Sequence, residues 1–297
     1  EGRVMAATLT PDLLAPFDRF TLYNSPYPAH DSGCAVDLYP PAAIAAHPGG
    51  TARAPSPVAG EVRETRTVSA PSRDYAAAHD HLVLVDVDRP AAAAGLVARL
   101  MHVDPDVEPG DAVAIGDDLG ALVRSGYYAP WVPDHVHLGF RPPAADLYRA
   151  RGSVRLTVGV EVAPVAWDGT GEVVAAGDTY AALDAPAHPA PGERWAGMAA
   201  EGPAGPGVLD GGLDHYDGGG LLGGAGGGPV ALSGERVGVA DGRDVAWDDV
   251  TVRANGDPVG GLSLFCARDA FGAKLVGERV DLSVGERARV TVTAAGR

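Results

Sequence analysis

Glycine fills 41 and proline 25 of the 297 positions of this chain. Neither residue propagates a helix, because proline lacks the amide hydrogen and glycine loses too much backbone freedom. A chain punctuated this densely is expected to fold into short strands and tight turns, with little long helix. Its length allows two ordinary domains, or one domain with a large appendage. No apolar run approaches the roughly 18–20 residues of a membrane-spanning helix, so no membrane span is expected.

The formal net charge is −16. That balance argues against a nucleic-acid partner, since a phosphate backbone is held by clustered Lys and Arg. Lys274 is the only lysine, and the remaining cations are arginines. An acidic, lysine-poor surface fits a halophilic source, although GC-rich coding would also enrich arginine. Cys34 and Cys266 lie far apart and suggest no disulfide framework. The first residues lack the charged, apolar and small-residue blocks of a secretory leader. A cytoplasmic location is therefore expected, or an extracellular one if a leader was removed. The oligomeric state is not encoded in any motif.

Along the chain, Pro11–Phe20 reads as a short helix, with Thr10 as N-cap and Pro11 in the first turn. Residues 56–62 and 81–87 have the β-branched content of half-buried strands. Pro109-Gly110-Asp111 and Gly116-Asp117-Asp118-Leu119-Gly120 repeat a turn signal. Residues 91–100 read as a helical insertion or an Ala-rich loop. The expectation for residues 1–150 is a compact antiparallel sheet or barrel. Residues 151–297 read as a second β-rich domain, because 154–162, 173–183, 229–239 and 280–293 alternate apolar and polar residues. Within it, the Gly-rich stretch 196–228 is expected to be a long loop.

The sharpest local feature is Asp134-His135-Val136-His137-Leu138-Gly139-Phe140. On a strand, His135 and His137 share one face while Val136, Leu138 and Phe140 face the core. Two imidazoles on one face can share a metal, or divide between metal binding and proton transfer. A second feature is His30-Asp31-Ser32-Gly33-Cys34-Ala35-Val36-Asp37. His and Asp suit Zn²⁺, and three protein ligands leave a fourth position open for water. The spacing puts His30 and Asp37 on opposite faces of a regular strand, so the segment must bend, with Gly33 the natural place. The alternative is a polar turn leading into a strand.

These pieces occur in an order that resembles the lysostaphin-type zinc endopeptidases. The set comprises His30 with Asp37, Pro57-Val58-Ala59-Gly60-Glu61-Val62, Leu100-Met101-His102, the Gly-Asp turns of 107–120, and His135-x-His137. It spans about residues 26–141. The resemblance implies zinc held by His30, Asp37 and His137, with His102 and His135 flanking the attacked carbonyl and its water. It also implies a peptide or cell-envelope polymer as substrate, and a groove over the metal. Lysostaphin-type enzymes usually place the Asp four residues after the His. The form His-x-x-Gly-x-Ala-x-Asp is similar instead to the D-alanyl-D-alanine peptidases and the hedgehog amino-terminal domain, which leaves the substrate class open.

Other residues divide between structure and function. His79-Asp80-His81 is a competing pair, read as a surface or supporting feature. Cys34 is a possible thiolate ligand, but reads better as a small residue beside the site. Tyr127, Tyr128 and Trp131 suit a peptide groove or a core equally well. His47 reads as exposed. Residues 213–217, Leu-Asp-His-Tyr-Asp, could cap a groove or form an ordinary loop. Two rival functions remain: a catalytically silent, peptidase-like binding or scaffold module, and a lipoyl-type carrier barrel. All five site positions are filled, which argues against the first. The absence of any lysine before Lys274 removes the second.

Overall fold

A computed structural model describes residues 6–41, 52–224 and 226–294. His47 lies outside them. The chain forms two compact units, one of residues 1–20 and 27–160, the other of residues 21–26 and 161–297. Both are built mainly from strands. Among the described residues no helix is long and apolar enough to cross a membrane.

The first unit contains β1 (Ala6–Leu9), α1 (Pro11–Leu14), β2 (Arg19–Thr21), α2 (Pro28–Asp31), β3 (Ala35–Tyr39), β4 (Arg53–Pro55) and β5 (Ala59–Ser69). It continues with β6 (His79–Arg89), β7 (Val97–Met101), β8 (Val103–Pro105), β9 (Ala112–Val113), β10 (Asp118–Leu122), β11 (Val136–Arg141) and β12 (Arg155–Val158). Strand β2 leads the chain out to residues 21–26. Thr10 caps α1 as expected, its hydroxyl accepting the Leu13 N–H at 3.3 Å. The helix stops at Leu14 rather than Phe20. Pro16 offers no N–H to extend the ladder and its ring would crowd the preceding turn.

The main sheet of this unit is antiparallel, in the order β3, β11, β7, β6, β5, β9. A smaller sheet orders β4, β10, β8, and β1 pairs with β12 in parallel. Strand β7 and the turn before it replace the helix or loop considered for residues 91–100. Gly95, at φ +79°, reverses the chain there, and its N–H donates to Val87 O at 2.9 Å. The Gly-Asp turns form as read. Gly110 and Gly116 have positive φ, and the Asp111 and Asp117 carboxylates accept the Glu108 and Ala114 amides at 2.8 Å.

Register sorts the main sheet into two chemically different faces. Val36, Leu38, Val83, Val85, Leu100, Val136, Leu138 and Phe140 all have no exposed surface. Each such burial is worth roughly 1.5–3 kcal/mol. The opposite face carries Asp37, His137, Met101 and Arg99, because Asp37 pairs with His137, His137 with Met101, and Gly139 with Arg99. A one-residue slip would exchange the two faces, so the apolar side fixes where the histidines point.

In the second unit, six strands close on themselves. They run Trp195–Gly202, Gly205–Leu213, Gly218–Leu222, Asp244–Trp247, Glu235–Gly242 and Gly226–Leu232, returning to the first through Glu201 and Ala231. The expected loop at 196–228 is therefore wrong, since it supplies four of these strands. The reason is that its apolar cover comes from elsewhere. A Cβ on Gly219 would lie 2.1 Å from the Trp247 ring, one on Gly220 2.3 Å from the Tyr23 ring, and one on Gly197 2.3 Å from Val208 Cγ1. The glycines are seats for large side chains. Residues 213–217 form the hairpin turn between two barrel strands.

Candidate metal centre

The site is assembled from three neighbouring pieces of the first unit. His30 sits on α2, whose end is closed by Gly33 at φ +58°, with Cys34 N–H donating back to Ala29 O at 2.8 Å. The left-handed residue is the expected bend, and glycine takes it without steric penalty. The chain then enters β3, which presents Asp37 directly opposite His137 on β11.

The three ligand-type atoms converge. His137 Nδ1 lies 2.9 Å from Asp37 Oδ1, His30 Nε2 lies 3.1 Å from His137 Nδ1, and His30 Nε2 lies 3.3 Å from Asp37 Oδ1. Tetrahedral zinc with ligand bonds of about 2.0–2.1 Å separates neighbouring donors by roughly 3.3 Å. The triangle matches that edge closely enough that a few tenths of an ångström of relaxation would admit the ion. Two imidazoles and a carboxylate are also the right donor chemistry. His30, Asp37 and His137 can thus hold a metal ion.

Charge follows from this crowding. Burial favours a neutral Asp37 carboxyl, but His30, His135 and His137 outweigh it and hold the group well below its ordinary range. Burial pushes His137 down to about 3 despite the neighbouring Asp37, so its ring is neutral with a lone pair to offer. Cys34 takes no part in the group, its Sγ lying 3.7 Å from Ser32 O.

His135 and His102 stand beside the triangle. His135 is buried, its Nε2 3.5 Å from Asp37 Oδ1 and its Nδ1 2.9 Å from Pro133 O. A carbonyl only accepts, so Nδ1 carries the proton and Nε2 the lone pair. His102 follows β7 at φ +69°, an uncommon conformation for a residue with a Cβ. Its ring centroid is 5.0 Å from that of His135 and 5.8 Å from that of His137. All five residues picked out by sequence come together.

Further residues support these five. Asp80 is fully buried, takes His102 Nδ1–H at 2.6 Å, and accepts the His102 and His81 amides and the Ser125 hydroxyl. Burial works against its charge, but His102 and these donors hold it down to about 2. The sequence drew attention to His79 and His81, yet on a strand the residue between them faces the other way. Tyr128 packs 4.6 Å from the His135 ring, and its hydroxyl lies 2.8 Å from Asp134 Oδ1. Arg124 ties this segment down, donating to Asp134 Oδ1 at 3.1 Å and Pro130 O at 2.7 Å.

A family model described as the domain of unknown function DUF8155, N-terminal domain, matches residues 8–158, and the corresponding C-terminal model matches residues 163–293. The chain belongs to the DUF8155 family. Its two matched segments bracket the change of unit at residue 160. No curated protein matches this DUF8155 chain. One solved structure, described as a novel M23 metalloprotease, pseudoalterin from deep-sea, aligns at a TM-score of 0.31 and 14% identity. It covers 50% of this chain and 78% of that one. A likeness of this size bears on neither activity nor substrate.

Proposed function

We propose that the first unit is a zinc-dependent metallopeptidase that hydrolyses a peptide or cell-envelope amide bond. The observation that carries this reading is the triangle of His30 Nε2, Asp37 Oδ1 and His137 Nδ1, with two further imidazoles beside it. A zinc ion bound there would supply a Lewis acid and bring water ionisation towards neutral pH. His30, Asp37 and His137 would hold it.

The remaining chemistry belongs to the chain. His135, with Nδ1–H committed to Pro133 O, presents Nε2 as a proton acceptor on the site side. His102, with Nδ1–H committed to the Asp80 carboxylate, presents a second Nε2. Asp80 also stabilises the imidazolium form that His102 would take on receiving a proton. One ring would remove the proton from water, and the other would return a proton to the leaving amine or bind the developing oxyanion.

Elemental analysis of protein purified without added metal tests the ligand set. The expected result is close to one zinc per chain, lost in His137→Ala and retained in His135→Ala. A metal-free wild type would overturn the reading. Cleavage of a peptide library tests the catalytic assignment separately. His135→Ala should lose about 10²–10⁴-fold of the rate, as expected for a general base. Equal cleavage by variant and wild type would remove His135 from the mechanism.

A further inference from the structure

Arg99 stands on the same sheet face as the metal triangle. It pairs across the ladder with Gly139, two residues along β11 from His137, a step of about 6.8 Å. Its Nε is buried without a hydrogen-bond partner among the described residues. The side chain is only partly covered, so a ligand can still reach it.

Its charged neighbours are committed elsewhere. Arg141, next on the same face, is fully buried. That guanidinium is committed to the Ser153 hydroxyl and to the Asp146 and Arg149 carbonyls. These are neutral acceptors, and the second cation repels the first. Asp80 also bears on Arg99 electrostatically, but its oxygens are occupied by His102, Ser125 and the His81 amide. Burial first, and then Arg141, lower Arg99 to about 10, so it stays charged at neutral pH. A half-buried cation whose neighbouring carboxylate is already occupied is costly to keep. In a chain of net charge −16, nearby carboxylates would have been easy to supply.

We propose that Arg99 recognises an anion, and that the substrate carries a carboxylate close to the bond the site would cut. This rests on the metallopeptidase reading of the neighbouring triangle. A guanidinium on this sheet face would bind such a group through paired, charge-assisted hydrogen bonds. The carboxylate could belong to a free carboxyl terminus or to an acidic side chain. Either would favour a short or acidic peptide over a neutral, internal one.

Calorimetric titration into the full chain separates these sources. The probes are N-acetyl-alanyl-alanine with its carboxyl-terminal amide, and N-acetyl-glutamic acid α-amide with N-acetyl-glutamine α-amide. In one pair the acid should bind at least about tenfold more tightly than the amide, the size of a charged hydrogen bond. Arg99→Gln should abolish that preference, while Arg99→Lys keeps part of it and zinc content is unchanged. Equal binding of acid and amide to wild type, or an undiminished preference in Arg99→Gln, would overturn the proposal. A preference that disappears on chelation but survives Arg99→Gln would assign it to the metal and also overturn it. A metal-free wild type that keeps an Arg99-dependent preference would support the proposal while removing the metallopeptidase reading. Arg99→Met should melt no lower than wild type, because it removes a half-buried charge. A variant that fails to fold would show that the structure itself holds Arg99, and would end the proposal.

Discussion

Two buried carboxylates, one in each unit, show opposite uses of the same group. Asp210, in the second unit, has no exposed surface and accepts the Thr21 hydroxyl and the Leu22 amide, the latter at 2.6 Å. Those donors carry their protons at every ordinary pH. Asp37, in the first unit, is faced by nitrogens of His30, His135 and His137, which carry a proton only conditionally. A buried carboxylate met by fixed donors is held for structure. One met by imidazole nitrogens, whose protons a metal ion can replace, belongs to a group that can hold a metal.

Removing each group should break this symmetry. Asp210→Ala removes the carboxylate that both donors share, and should cost the second unit about 3–5 kcal/mol. In metal-free protein, Asp37→Asn should produce the smaller loss of stability while abolishing zinc uptake. Chemical denaturation of both variants, with zinc content measured alongside, checks the pair. Equal destabilisation would show that Asp37 is a structural group after all.

Much of the site was legible because its residues obey strand alternation. The sequence places His135 and His137 on one face and Val136, Leu138 and Phe140 on the other, and the three apolar residues are fully buried. Gly33 is legible as the bend for a similar reason, since only a break in a regular strand brings His30 to Asp37. Asp80 was hidden between two more conspicuous histidines. Arg99 was hidden because its meaning lies in how its neighbours are occupied, which no linear pattern records. The barrel of the second unit was the larger miss. Its glycines read as loop because Tyr23 and Trp247, which cover them, lie far away in sequence.

Acid should sharpen the contrast further. His215, half-buried in a hairpin of the second unit, is pushed down to about 4, first by burial and also by the nearby Lys274. Its unfolded value is about 6.5. Between those limits the unfolded chain binds more protons, so stability is complete above about 6.5 and falls as pH drops towards 4. The loss should approach about 3 kcal/mol by pH 4. Denaturant unfolding of wild type and His215→Gln across that range measures it. A variant whose second unit loses stability with acid as steeply as wild type would remove His215 as the cause.

The smallest effect tests whether Asp80 follows the pattern of Asp210 or that of Asp37. Ser125 is fully buried, donates to Asp80 Oδ2 at 2.7 Å, and accepts the Tyr127 amide at 3.2 Å. Removing its hydroxyl by Ser125→Ala should cost only about 1 kcal/mol, because Asp80 keeps the His81 and His102 amides. Among the described residues, the same change leaves His102 Nδ1–H as the only side-chain donor to Asp80 Oδ2. If Asp80 serves the imidazole, its hydrogen bond with His102 Nδ1–H should then tighten, without loss of zinc. The NMR resonance of the His102 Nδ1 proton in wild type and variant reads that change. A variant destabilised as much as Asp210→Ala, with His102 unmoved, would place Asp80 among the structural carboxylates and leave Asp37 alone in its class.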